Sequence, residues 1–199
     1  MVVPDSGFFE VGDTLQPRAR PLDGRGDSVA AAVFWASLDT TTVVVLDSTT
    51  GATWGKQAGT GSIQARVGNL RTNPIALTVQ PPLDSIHPAS DLRDTVVVST
   101  PDSLSDSLRV RAAVTPTSQA NLVRRLVVFE TTVFPPGGAG VTLLPDDSVT
   151  TDRTGLAAVQ VRLVTGPLPD SVVVTARAAR FDGTPVAGSP RTFVVEFQP

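Results

Sequence analysis

The amino-acid sequence predicts an all-β protein built from two successive antiparallel β-sandwiches. Three observations point there. First, the 199 residues include 30 Val and 24 Thr, and β-branched side chains suit a pleated surface while losing rotamer freedom in a helix. Second, apolar residues alternate or run in short stretches, with turn residues about every 8–12 positions. A helical i, i+3, i+4, i+7 pattern is nearly absent; residues 118–128 come nearest to one, and they end in a β-branched run. Third, a proline cluster, Gln80-Pro81-Pro82-Leu83-Asp84-Ser85-Ile86-His87-Pro88, splits the pattern at mid-chain.

In the first half, strands are expected near residues 8–11, 14–22, 30–36, 43–46, 52–55, 61–67 and 74–79. Asp23-Gly24-Arg25-Gly26-Asp27 supplies two glycines where a hairpin turn needs positive φ. Trp35, behind apolar Val33 and Phe34, is the expected large ring of this half's core. In the second half, strands are expected near residues 94–99, 107–115, 124–134, 141–144, 156–165, 171–180 and 190–197. Seven per half is the count of a sandwich. Leu108, Val110, Ala112 and Val114 alternate with Ser107, Arg109, Arg111 and Ala113, so one face is core and the other wet. Residues 172–178 repeat the trend. Asp152, three residues before Gly155, is an Asx-turn former. The division into domains is therefore 1–81, a linker over 82–89, and 90–199. Proline cannot donate to a strand ladder, so the linker reads as short, stiff and extended, with Leu83 and Ile86 able to pack between the domains.

The inventory excludes much chemistry. There is no Cys, hence no disulfide, thiolate metal site or cysteine nucleophile. There is no Tyr; His87 is the single histidine and Lys56 the single lysine. No Gly-x-Ser-x-Gly elbow and no glycine-rich phosphate loop before a helix is present. The reading is no enzyme and no cofactor. A net charge of −3, with 15 Arg interleaved among 16 Asp, gives no electrostatic case for nucleic acid. No run reaches the length of a membrane helix. Met1 is followed by Val-Val-Pro-Asp-Ser, which has neither the charged nor the apolar region of a signal peptide. A removed leader, a fragment of a longer chain, and export by no such route all stay open. Asp146, Asp147 and Asp152 are the acidic residues grouped nearest a loop. Without an Asp-x-Asp-x-Asp-Gly pattern they read as solvated turn residues, with Ca²⁺ as the open alternative.

Several of these stretches carry a resemblance. Gly12-Asp13-Thr14-Leu15, the Asp23-Gly24-Arg25-Gly26 turn, Phe34-Trp35-Ala36-Ser37-Leu38-Asp39, Val43-Val44-Val45-Leu46-Asp47 before Gly51-Ala52, and Ala58-Gly59-Thr60-Gly61-Ser62-Ile63-Gln64-Ala65 stand in one order. Together they make residues 8–80 resemble the group 2 bacterial immunoglobulin-like domain. Ala36 stands where that family has Ser, and Trp54 where it usually has a smaller aliphatic residue. Residues 90–198 resemble, more loosely, the group 1 (invasin/intimin-type) domain through Ser148-Val149-Thr150-Thr151-Asp152-Arg153-Thr154-Gly155-Leu156-Ala157-Ala158-Val159 and the strand at 171–176. Its Asp-x-x-Gly-x-Pro-Val element is missing, and residues 115–121 stand in its place.

The resemblance implies two tandem Ig-like sandwiches working outside the bacterial cytoplasm, in the periplasm or at the cell surface. The implied role is a non-catalytic spacer or scaffold that binds other protein chains, envelope or surface proteins among them. Two alternatives accompany it: an accessory subunit clamped on the periplasmic face of a respiratory or photosynthetic membrane complex, and a carbohydrate- or receptor-binding adhesin segment. Contact is expected through strand edges and loop ends. The candidate contact residues are Phe8 and Phe9, of which alternation turns one ring inward and one outward, Trp54, and the tip Pro135, Pro136, Gly137 and Gly138.

Overall fold

The computed structural model describes residues 7–98, 103–114, 122–137, 140–164 and 166–199. Among them are strands, turns and bends, with no helix, and so none that could cross a membrane. The chain divides into two compact units, Met1–Pro82 and Leu83–Pro199. Each is a β-sandwich of two sheets around an apolar core.

The first unit holds β1 (Phe8–Glu10), β2 (Thr14–Leu15), β3 (Phe34–Ser37), β4 (Val43–Val45), β5 (Thr53–Gly55), β6 (Gly59–Val67), β7 (Leu70–Arg71) and β8 (Ile75–Gln80). One sheet runs β1-β8-β6-β3 with β7 paired to β6; the other runs β2-β5-β4. β1 lies parallel to β8, Phe8 opposite Thr78 and Glu10 opposite Gln80. Between the sheets sit Phe9, Trp35, Val43, Ile63, Ala65, Ile75, Leu77 and Val79. Two glycines admit this closeness. Gly51 has φ +77°, and a Cβ there would lie 2.8 Å from Cδ1 of Trp35. A Cβ at Gly61 would lie 2.6 Å from a methyl of Val43.

Two expected strands are much shorter than the sequence pattern suggests. The stretch 14–22 keeps only Thr14–Leu15, because Pro17 and Pro21 have no N–H to give a ladder. The stretch 30–36 pairs only from Phe34 onward; Ala30, Ala31 and Ala32 are exposed and offer little apolar area to hold them on a sheet. Residues 16–33 therefore wander, pinned by the isolated Leu22–Ser28 bridge around the Asp23 turn.

The second unit holds β9 (Ser85–Pro88), β10 (Arg93–Val97), β11 (Leu108–Ala113), β12 (Leu126–Phe134), β13 (Val141–Leu144), β14 (Ser148–Thr150), β15 (Leu156–Leu163), β16 (Ser171–Ala178) and β17 (Arg191–Gln198). The sheets are β10-β17-β16-β12-β14 and β13-β15-β11-β9, with β10 parallel to β17. The expected linker is corrected here. Residues 85–88 form an edge strand antiparallel to β11, from Val110 opposite Pro88 to Ala113 opposite Ser85. The Ile86 N–H also donates to the Ala187 carbonyl at 2.9 Å. Leu83 and Ile86 are fully buried in this unit's own core, whereas the sequence pattern puts them in the linker. The prolines permit this because Pro81 and Pro82 precede the strand and Pro88 ends it, positions where a missing donor costs nothing.

One turn device recurs in both units. Asp23, Asp39, Asp47, Asp152 and Asp182 each accept the backbone N–H two residues on, at 2.7–2.8 Å. Four of the five have Thr at that position. Hydrogen bonds to the charged form favour it, and all five carboxyls are held below their ordinary value. Asp47 is drawn down to about 2, first by the Thr49 hydroxyl and then by the Thr49 N–H.

Three outcomes follow from this architecture. Ile86→Ala should cost the second unit about 2–5 kcal/mol in urea denaturation, as a core truncation does, whereas a linker residue would change it by less than about 0.5 kcal/mol. Gly51→Ala should destabilise the first unit by about 1–3 kcal/mol, through positive φ and the clash with Trp35. The third concerns acid. A folded-state pKa below the unfolded value gives stability that is present above the unfolded pKa and lost as pH falls through the folded one. Asp47→Asn should therefore lower Tm at about pH 7, and the gap to the parent should close as pH falls from about 4 to about 2, read by circular dichroism melts.

Candidate interaction surfaces

Alternation along β1 separates the two phenylalanines. Phe9 turns inward and is 4% exposed. A Cβ on Gly55 would lie 3.0 Å from its ring, so the ring is seated against that glycine. Phe9 is core and is not available to a partner, which corrects its place among the contact candidates. Phe8 is half-buried. Residues 1–6 lie outside the described residues.

Trp54 occupies the middle of β5, opposite Thr14 on β2 and Val44 on β4. Its neighbours Thr53 and Gly55 are buried, so its own side chain stands on the outer face of the three-stranded sheet, half-buried beside half-buried Val44.

Pro135, Pro136 and Gly137 are exposed between β12 and β13; Gly138 lies outside the described residues. Gly137 has φ +89°, a conformation natural to glycine. The strand entering this tip has an uncovered margin. β12 pairs with β16 from Val127 to Phe134, but on its other side β14 reaches only Leu126, Val127 and Val128. Beyond them the Phe129 N–H donates to the Asp147 carbonyl at 2.7 Å. In an antiparallel strand the N–H and C=O of one residue point the same way and alternate between sides. Phe129 facing β14 thus puts Thr131 and Val133 on that side too, where among the described residues no strand lies. The open stretch ends at Phe134, 43% exposed. Alongside runs a groove of about 520 Å³, whose lining includes Val128, Thr131, Val141, Glu130, Asp146 and Asp147. Glu130 is held by Nε of Arg177 at 3.0 Å.

The three loop aspartates are not brought together. Oδ1 of Asp152 accepts from the N–H and hydroxyl of Thr154, both at 2.7 Å, and from the Leu156 N–H at 3.1 Å. That carboxylate builds its own turn. Asp146 accepts the Asp147 N–H, and Asp147 accepts the Ser148 hydroxyl. Among the described residues no three His, Cys, Asp or Glu side chains are grouped to hold a metal ion. His87, on β9, shares a 3.0 Å hydrogen bond with the Ser85 hydroxyl.

Sequence reading missed the β12 margin. The signal was present in lengths: β12 spans nine residues and β14 three, because Pro145-Asp146-Asp147 delays the return strand.

No family model matches the chain, and no curated protein matches it. Solved structures do. The adhesin InvE of Yersinia pseudotuberculosis is 21% identical with a TM-score of 0.45, covering 98% of this chain and 57% of its own. Domains 4 and 5 of the S-layer protein SbsC are 15% identical with a TM-score of 0.36, covering 94% and 82%. A glycosyl hydrolase family 2 member from Bacteroides cellulosilyticus is 16% identical with a TM-score of 0.41, covering 75% and 19%. These are distant likenesses among β-domain chains of different occupations, and they assign no activity or partner here.

Proposed function

We propose that the chain is a non-catalytic, extracytoplasmic interaction module that binds another protein through the open margin of β12 and the tip that follows it. The observation carrying this reading is the outward-facing Thr131 and Val133 backbone, next to exposed Phe134, Pro135 and Pro136. An uncovered edge strand is a template for an added strand. Backbone pairing supplies register there, and burying the Phe134 ring supplies about 1.5–3 kcal/mol. The rest of the chain is consistent with a scaffold: sheets closed on apolar cores, and short turns satisfied by their own side chains. The extracytoplasmic setting is supported by the resemblance of residues 8–80 and 90–198 to bacterial immunoglobulin-like domains.

The test is site-specific photo-crosslinking in the native cells, with the reactive residue at Pro136 and, as control, at exposed Arg153. A protein adduct from position 136 and none from 153 is expected. Thr131→Pro removes an outward N–H that no ladder among the described residues uses; it should cut the adduct about tenfold and leave Tm within a few degrees. No adduct at 136, or an adduct indifferent to Thr131→Pro, overturns the reading.

A further inference from the structure

The first unit carries a second, separate feature. Residues 19–33, which form no sheet, and the β6–β7 hairpin enclose an apolar groove of about 250 Å³. Leu22, Val29 and Leu70 line it and are 51%, 40% and 77% exposed. Three large apolar side chains left open at one place mark an unfinished contact. Arg20, Arg66 and Arg71 line the same groove, and no Asp or Glu does. Among the described residues none of these three arginines has a carboxylate partner. The guanidinium carbon of Arg66 lies 5.5 Å from the centroid of the Phe34 ring. Asp23, an acid of the same loop, is turned into its own backbone, accepting from the N–H groups of Arg25 and Asp27.

We infer that this groove receives an extended acidic peptide segment of another protein, with one apolar side chain in the groove and flanking carboxylates on Arg20, Arg66 and Arg71. Volume and charge select this occupant. Small-molecule sites run to roughly 300–1,000 Å³, and this one has room for a side chain or two. Guanidinium forks bind carboxylates in pairs of parallel hydrogen bonds, and the local cationic rim is set in a chain of net charge −3. The site is on the other unit from the β12 margin and stands or falls independently of it.

Fluorescence anisotropy on the full chain tests it, using a labelled short peptide that alternates leucine and glutamate. Saturable binding is expected, about tenfold weaker when lysine replaces glutamate or serine replaces leucine, and weakened by raising salt from about 0.05 M to about 0.5 M. The double variant Arg66→Ala, Arg71→Ala should lose about tenfold and Leu70→Ser at least about threefold, while Arg109→Ala on the second unit changes nothing. All these side chains are exposed, so the variants should keep the parent melting curve. Equal binding of the lysine peptide overturns the inference, as does absence of saturable binding. Binding of phosphatidylserine vesicles without peptide binding assigns the groove to a lipid surface, and self-association abolished by Leu70→Ser assigns it to a second copy; either outcome also overturns it.

Discussion

The structure depends on inward-facing side chains recurring at every second position of facing strands. In the second unit Ala157, Val159, Val161 and Leu163 of β15, Val172, Val174, Ala176 and Ala178 of β16, and Phe193, Val195 and Phe197 of β17 all point into one core. With no Tyr and few aromatics, this core is assembled mostly from short branched side chains, so the sheets must approach closely and in one register. A slip of one residue would turn the whole inward set to water. Turns, edges and grooves are what remains after this alternation is satisfied.

That dependence explains what could be read in advance. The long periodic strands β11, β12, β15, β16 and β17 were visible because each repeats one rule over six or more residues. β9 was hidden: four residues that follow Pro81 and Pro82 and end in Pro88 look like a linker, and only pairing to β11 reveals that Ile86 is core. Phe8 and Phe9 are an adjacent pair whose inward member depends on the register with β8, which no local pattern contains. The groove of the first unit was hidden for the opposite reason. Residues 14–22 and 30–36 have the hydrophobicity of strands, and it took the spacing of Pro17 and Pro21, together with the small size of Ala30, Ala31 and Ala32, to leave them unpaired. The tip at Pro135 and Pro136 was legible because proline and glycine act locally, whereas the margin beside it follows from two strand lengths compared across the sheet.

The Asp-to-N–H turns connect the loops to the surface electrostatics. Five of the 16 aspartates are committed to their own turns. Each of these carboxylates spends its Oδ1 on the backbone of its own loop. Arginines nearly match aspartates in number, and among the described residues Arg20, Arg66 and Arg71 have no carboxylate partner. Positive charge is thus gathered at one groove of a chain whose total charge is negative.

The parallel pairing of β1 with β8 has a mechanical meaning. These are the first and last strands of the first unit, and they run in the same direction side by side. Tension applied to the two ends of that unit pulls them along their length in opposite senses. The register from Phe8–Thr78 to Glu10–Gln80 is then loaded in shear, all its hydrogen bonds together, and cannot be opened one rung at a time. Resistance to such a pull is set by the unfolding barrier and not by equilibrium stability, so the force this unit withstands and the heat it withstands are separate properties.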